Sequence, residues 1–112
     1  MVRPTKFEIR EHAADPALVM SVTGELDMNT VEVLAKHLEQ RLADKPQALR
    51  LDLADLAFMD SSGLRLLIDL HDRARREGWE LTIVRPRNDA AVMVLRATGA
   101  DTALPFEPDE AA

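Results

Sequence analysis

Residues 49–64 read LRLDLADLAFMDSSGL, and this segment decides the fold. Leucines alternate with Arg50 and Asp52 in its first part, which is typical of a strand with one buried face. Phe58 and Met59 continue the apolar character up to a polar cluster, DSSG, of the kind that precedes a helix. A buried strand, a short loop and a helix in this order predict a unit of an α/β protein.

Two strands are predicted before this segment. Apolar and polar residues alternate in residues 7–11, and residues 17–23 are rich in Val, Leu and Met. Residues 12–16 between them include turn-forming types and are few enough for the two strands to pair as an antiparallel hairpin. Gly24 is expected to end the second strand.

The first helix is expected to begin near Asn29. Asn29 and Glu32 resemble a capping box, in which two side chains satisfy the free N–H groups at a helix start. Apolar residues then recur at helical spacing, namely Val31, Leu34, Ala35, Leu38 and Leu42. Pro46 ends this element, because proline cannot continue a helix.

A second helix and a fourth strand are predicted after the DSSG cluster. Residues 64–74 are apolar over much of the helix surface, and Gly78 stands where a C-terminal cap belongs. Residues 79–84 then have the composition of a strand, which Pro86 closes.

The C-terminal part predicts one more helix and one more strand. Residues 88–98 form a third helix that Gly99 ends. Residues 103–106 predict a short last strand, at a sheet edge because Pro105 cannot donate a ladder hydrogen bond. Residues 107–112 are expected to be a disordered acidic tail.

The order of these elements predicts an α/β fold. Two strands are followed by three helices that alternate with three strands, without an internal repeat or a linker. Helices between strands imply right-handed crossovers in a largely parallel sheet that begins with an antiparallel hairpin. We expect one domain over residues 1–112.

Composition disfavours several classes of protein. The chain has no cysteine, which fits a reducing compartment. Its formal net charge of −6 disfavours a nucleic-acid partner, since such binding depends on neutralising phosphates. No apolar run reaches the roughly 18 residues that predict a membrane span, and residues 1–6 do not form a signal-peptide core. We therefore expect a cytoplasmic protein with no membrane insertion.

Two loops are expected at the functional edge of the sheet. Ligands of α/β proteins meet the carboxyl ends of the strands, and residues 24–27 and 56–63 follow the second and third strands. Ser61 is predicted as the N-cap of the second helix, with Asp60 or Ser62 in that role if the boundary differs by one residue. The cluster is either a cap alone or a modification site, because a helix N-terminus also accommodates phosphate.

Motifs for catalysis and metal binding are lacking in the sequence. Ser61 is outside any Gly-x-Ser-x-Gly elbow, and the glycine motifs that bind phosphates do not occur. The three histidines lack ligand spacing, and they are His12, His37 and His71. Strand-end acids could approach a cation but usually cap turns, and here they are Asp27, Asp52, Asp55 and Asp60. We therefore expect no enzymatic activity, no cofactor and no metal site.

Three segments resemble the STAS domain, in particular the bacterial anti-sigma factor antagonists. Residues 58–64, FMDSSGL, following the strand at 51–53, are similar to the phosphorylation motif of that family. Residues 24–27, GELD, resemble the loop after its second strand, and residues 97–99, ATG, resemble the end of its third helix. The resemblance covers most of the chain and implies the STAS fold.

The resemblance also implies a function. Ser61 would be the phosphoacceptor, and the partner would be an anti-sigma factor that is itself an ATP-dependent serine kinase. The unphosphorylated antagonist would bind the kinase and free a sigma factor, phosphorylation would release it, and a metal-dependent serine phosphatase would reset it. ATP and magnesium would belong to the kinase. The residues implied to line or shape the contact surface are Asp27, Asn29, Asp60, Ser62 and Gly63.

Arg65 departs from the family pattern, because many antagonists have a small residue at this position. A long cation beside the phosphoacceptor would bind the phosphate or alter the fit of the partner. Two other functions stay open. One is an unphosphorylated structural subunit of a transporter or signalling complex, in which DSSG is only a helix cap. The other is a module that binds a nucleotide or another small ligand at the same edge.

Overall fold

A computed structural model of the chain describes residues 6–14 and 17–108. Its strands are β1 (Glu8–Ala14), β2 (Ala17–Leu26), β3 (Ala48–Asp52), β4 (Leu56–Met59) and β5 (Glu80–Val84). Its helices are α1 (Val31–Leu42), α2 (Ser61–Glu77), α3 (Asp89–Thr98) and the short α4 (Ala100–Ala103). None of the helices in these ranges is both long and apolar enough to cross a bilayer.

The sheet has the predicted α/β topology. Its strand order is β1-β2-β3-β5, and β4 pairs with the end of β2. β1 and β2 are antiparallel, whereas the β2–β3, β2–β4 and β3–β5 pairs are parallel. The hairpin is longer than the sequence predicts, because β1 continues through residues 12–14, where a turn is expected. Residues 15 and 16 lie outside the described ranges.

Gly24 does not end β2, so that prediction is wrong. The residue has a φ of +95°, and a Cβ atom there would lie 2.6 Å from the Cα atom of Phe7. Glycine is required because the backbone of Lys6 and Phe7 passes too close to leave room for any side chain. The pairing of β2 with β3 extends from Ala17 to Ser21, and from Gly24 onwards β2 pairs with β4, with a register shift between Gly24 and Glu25.

β4 is a strand that the sequence pattern does not predict. It has only four residues, and its burial does not alternate. Its start follows a tight turn in which the Leu56 N–H donates to the Leu53 carbonyl at 3.0 Å. At its end, the Asp60 N–H donates to the Leu26 carbonyl at 3.2 Å. β4 therefore places the start of α2 directly beside the loop that follows β2.

The apolar face predicted for α1 packs into the core, whereas α2, predicted to be apolar over much of its surface, buries one face and leaves Ile68 exposed. In α1 the buried residues are Leu34, Leu38 and Leu42, and in α2 they include Leu64, Leu67, Leu70 and Ala74. They form one cluster with strand residues such as Met20, Leu49, Leu51 and Ile83. Within the described ranges no polar or charged side chain is buried, so polar chemistry lies at the surface.

The predicted helix ends are confirmed at both glycines. Gly78 ends α2 with a φ of +78°, and Gly99 ends α3 with a φ of +80°. This left-handed conformation costs glycine little and strains other residues, which is why glycine commonly ends helices.

The segment after Gly99 differs from the prediction. Residues 100–103 form α4, and the expected strand is reduced to one bridge between Phe106 and Ile83. That bridge does lie at the β5 edge of the sheet. Glu107 is not part of a disordered tail, because its N–H donates to the Ile83 carbonyl at 2.8 Å and its carboxylate contacts Arg50 at 2.6 and 3.1 Å. Residues 109–112 of the predicted tail lie outside the described ranges.

Candidate functional site

The loop between β2 and α1 is held by Asp27 and Thr30. The Asp27 Oδ1 atom accepts from the N–H groups of Asn29 and Thr30 at 2.9 and 3.1 Å. The Thr30 hydroxyl donates to the Glu25 carbonyl at 2.7 Å and accepts from the Asp27 N–H at 2.9 Å. The N–H donors of Asn29 and then Thr30 hold the pKa of the Asp27 carboxyl below its ordinary value of 3.8.

The capping box predicted from Asn29 and Glu32 is therefore wrong. Thr30 is the N-cap of α1, and its side chain makes no capping hydrogen bond. The reason is local: Asp27 is already bonded to the N–H groups at this turn, so the chain enters the helix one residue later than expected.

The start of α2 is capped by Asp60. Asp60 has an extended backbone, and its Oδ1 atom accepts from the N–H groups of Ser62 and Gly63 at 2.8 and 3.4 Å. The prediction that Ser61 is the N-cap is wrong by one residue, and the stated alternative, Asp60, is correct. The chain leaves β4 in an extended conformation at Asp60, as an N-cap requires, and Ser61 is the first residue of the helix.

Ser61 is the accessible hydroxyl of this edge. Its side chain is exposed, and its hydroxyl makes no hydrogen bond to any residue in the described ranges. Ser62 is half-buried, and the Thr30 hydroxyl is engaged by the backbone of its own loop. Among these three hydroxyl groups, Ser61 is the one that is both exposed and unengaged.

Gly63 shapes the site from beneath. It is buried, and an added Cβ atom would lie 2.7 Å from Met59 Cγ and 2.9 Å from Leu26 Cγ. Glycine is needed here for close packing and not for an unusual φ, so α2 can approach the ends of β2 and β4. Gly63 therefore sets the position of Ser61 without presenting a surface of its own.

The remaining strand-end aspartates do not converge on one point. Asp52 accepts from the Ala54 N–H at 2.9 Å, and Asp55 pairs with Arg87. In residues 6–14 and 17–108 no group of three or more His, Cys, Asp or Glu side chains is arranged to hold a metal ion. The carboxylates of this edge act as turn caps and ion-pair partners.

Exposed apolar side chains are present on the elements that form the site, and none of them is among the contact residues predicted from the sequence. Met28 follows Asp27, and Ile68 lies two helical turns after Ser61 on the same side of α2. These exposed side chains are Met28 at 71%, Val33 at 53%, Phe58 at 37% and Ile68 at 41%. Ile68 had a sequence signal, because it interrupts a face that otherwise carries Arg65, Asp69 and Asp72.

Arg65 lies one turn after Ser61 on the same face of α2. Its side chain is exposed, and it makes no ion pair or hydrogen bond with the part of the chain that the structure describes. By contrast, Arg73 on the same helix pairs with Glu39 and Glu77. Two of the predicted residues, Asp60 and Arg65, thus lie at the first turn of α2. Two others, Asp27 and Asn29, lie in the adjoining loop between β2 and α1.

Comparisons with known proteins agree with this topology. The sequence model of the STAS domain matches residues 6–112. The crystal structure of an anti-sigma factor antagonist from Mycobacterium paratuberculosis is similar to this chain, with 30% identity and a TM-score of 0.75. That alignment covers 95% of this chain and 87% of the other.

Two further similarities are more limited. Anti-sigma-F factor antagonist RsfB of Mycobacterium tuberculosis is 39% identical over 49 residues, which are 44% of this chain and 40% of RsfB. The match thus spans two fifths of the length of that curated relative. The Bacillus cell fate determinant SpoIIAA, in its phosphorylated form, has 19% identity and a TM-score of 0.65, with 94% of each chain covered. At that identity the likeness concerns the fold alone. Because the domain model matches almost the whole chain and a relative of 30% identity shares its fold along nearly its full length, this chain belongs to the STAS domain family.

Proposed function

We propose that the chain is an anti-sigma factor antagonist controlled by phosphorylation of Ser61. Unphosphorylated, it binds an anti-sigma factor that is a serine kinase, and so frees a sigma factor for transcription. Phosphorylation releases it, and a serine phosphatase resets it. The protein acts in the cytoplasm as a binding protein and not as an enzyme. Family membership and the similarity to a mycobacterial antagonist support this proposal.

The observation that carries the proposal is the exposed and unengaged hydroxyl of Ser61. A kinase must reach the oxygen without unfolding the helix, and at the first position of α2 it can. Ser62 is less accessible, and modification of Thr30 would break the bond that closes its loop at 2.7 Å. Ser61 is thus the hydroxyl of this edge whose modification leaves the fold intact.

The chemical step needs only a nucleophile from this chain. The Ser61 Oγ atom forms a bond to the γ-phosphorus of ATP, the bond between that phosphorus and the β,γ-bridging oxygen breaks, and ADP leaves. The hydroxyl proton passes to a base on the kinase. ATP, its magnesium ion and the base all belong to the kinase.

The added phosphate changes the surface more than the scaffold. A phosphoserine carries about −1.5 to −2 charges at neutral pH. At a helix start the interaction of this charge with the helix dipole stabilises the fold by about 0.3–1 kcal/mol. The same charge placed between exposed apolar side chains in an interface opposes binding by several kcal/mol. About 5.5 kcal/mol turns a 99:1 equilibrium over, so direct obstruction supplies much of the switch.

The test is a binding assay with and without phosphorylation. Candidate anti-sigma kinases are incubated with the chain and ATP, and intact mass followed by peptide mapping identifies the modified residue. Calorimetry then measures affinity for the kinase. We expect Ser61→Ala to bind like the unmodified chain and to resist release by ATP. We expect Ser61→Asp to fold normally and to lose binding.

A matched control adds the same charge elsewhere. Gln40 is exposed near the end of α1 that is remote from Ser61, so Gln40→Glu should leave affinity unchanged. Equal phosphorylation of the Ser61→Ala protein would show that the site is wrong. Full affinity of the Ser61→Asp and phosphorylated proteins would instead favour a structural subunit whose DSSG segment only caps a helix.

A further inference from the structure

Arg65 is positioned to reach a phosphate group on Ser61. The two residues are four positions apart in α2, which is about 6 Å along the helix axis, and they share one face. Helical side chains lean towards the N-terminus, so a side chain as long as that of Arg65 can reach the turn that Ser61 begins. Within the described ranges Arg65 makes no ion pair or hydrogen bond, and Asp69, one turn further along the same face, does not engage it.

The backbone of α2 offers a phosphate few free donors. The N–H groups of Ser62 and Gly63 already donate to Asp60 at 2.8 and 3.4 Å, and the Leu64 N–H donates to the Asp60 carbonyl at 3.2 Å. The first turn is therefore largely satisfied before any phosphate arrives. A phosphoryl group on Ser61 must find its counter-charge among side chains.

The surrounding charges leave one candidate for that role. Residues 24–35 and 51–70 hold the loop after β2, the strand β4 and the first turns of α2, and Arg65 is the sole lysine or arginine in them. The helix α3 also packs against β4, and its Arg96 lines a separate cavity with Arg50 and Asp52. The acidic residues in the same two segments are Glu25, Asp27, Glu32, Asp52, Asp55, Asp60 and Asp69. A phosphate there adds negative charge to an acidic surface, which increases the attraction to the single cation.

We propose that Arg65 binds the phosphoryl group of phosphorylated Ser61 within the same chain, so that it acts as a positioning residue for the released state. The inference rests on Ser61 being the residue that the proposed function modifies. An anion four residues before a cation is the favourable order on a helix, and the guanidinium fork matches phosphate oxygens in pairs. The bound phosphate is held against α2, where it obstructs the docking surface in one fixed position.

The experiment uses phosphoserine incorporated at position 61 during translation, so no kinase is required. Phosphorus-31 NMR follows the second ionisation of the phosphate, which is near pH 6 in ordinary phosphoserine. Because Arg65 favours the dianion, we expect Arg65→Ala to raise this pKa by about 0.15–0.4 pH unit. Arg65→Lys keeps the charge without the fork and should raise it by less. Added salt should reduce the difference in phosphate pKa between the native and Arg65→Ala proteins, because it screens the ion pair.

Arg75 supplies the matched control. It is exposed on the same helix, has no ion pair or hydrogen bond with the described residues, and lies about 15 Å further along the axis. Arg75→Ala should leave the phosphate pKa unchanged. Equal pKa values in the native, Arg65→Ala and Arg75→Ala proteins would overturn the inference while leaving the kinase assay unaffected. Conversely, a kinase that ignores Ser61 would overturn the proposed function without changing the NMR result.

Discussion

Replacement of Asp60 by alanine tests which residue caps α2. The structure assigns the cap to Asp60, whose Oδ1 atom accepts from two N–H groups at 2.8 and 3.4 Å, whereas the hydroxyl of Ser61 makes no hydrogen bond to the described residues. Asp60→Ala therefore removes both bonds and a negative charge at the helix start. Ser61→Ala removes neither, and Asp60→Asn removes the charge alone.

The expected magnitudes separate the three variants. Loss of an N-cap side chain costs about 1 kcal/mol, and loss of a carboxylate at the helix start costs about 0.3–1 kcal/mol. Asp60→Ala should thus lower the free energy of unfolding by about 1.5 kcal/mol. Asp60→Asn should lower it by about 0.3–1 kcal/mol. Ser61→Ala should change it by less than about 0.5 kcal/mol, because an exposed alanine is a good helix former.

Urea unfolding followed by circular dichroism measures these differences directly. A thermal scan gives a second estimate, since roughly 4 °C of Tm correspond to 1 kcal/mol in a domain of this size. We expect Asp60→Ala to melt about 6 °C below the native protein and Ser61→Ala to melt with it. A loss in Ser61→Ala as large as that in Asp60→Ala would refute the assignment, since Ser61 would then be the residue that caps the helix.

Replacement of Gly63 by alanine puts a methyl group 2.7 Å from Met59 Cγ. We expect the free energy of unfolding, measured in urea, to fall by roughly 1–3 kcal/mol, and an unchanged value would contradict that packing. Thr30→Val deletes two loop hydrogen bonds and should cost about 1–3 kcal/mol in the same assay. The hydrogen bond from Arg50 lowers the pKa of Glu107 below 4.5, so this pair stabilises the fold above that value and loses its effect as pH falls through the lowered pKa. Glu107→Gln should reduce stability at about pH 7 by no more than about 1 kcal/mol and match the native protein at about pH 2. If Glu107→Gln were still less stable than the native protein in acid, the substitution would have removed an interaction other than the ion pair with Arg50.

The three longer helices and the antiparallel hairpin that opens a largely parallel sheet could be predicted because their signals are local. Leu34, Leu38 and Leu42 recur at helical spacing and form the buried face of α1. Gly78 and Gly99 end helices because glycine tolerates the left-handed conformation that other residues avoid. Alternating strands and helices then leave few possible topologies, since connections are short and crossovers are right-handed.

The capping box at Asn29 failed for a local reason, whereas the errors at Gly24, β4 and Glu107 occurred where a distant segment competes with a local preference. Gly24 looks like a strand end, but the chain near Phe7 requires glycine inside a strand that continues. β4 has no alternation because its four residues are placed by pairing with the end of β2. Glu107 looks like part of a charged tail, and its partner Arg50 is more than fifty residues away in sequence.

The sequence by itself determined the α/β class, the apolar faces of the helices and the short segment from Asp60 to Gly63 in which the candidate site lies. These depend on periodicity and on the conformational preferences of single residues, which act over a few positions. Only the tertiary structure decided which of three neighbouring polar side chains caps α2 and which hydroxyl stays exposed. That choice depends on where β4 ends against β2, and such a contact between distant segments leaves no local pattern in the sequence.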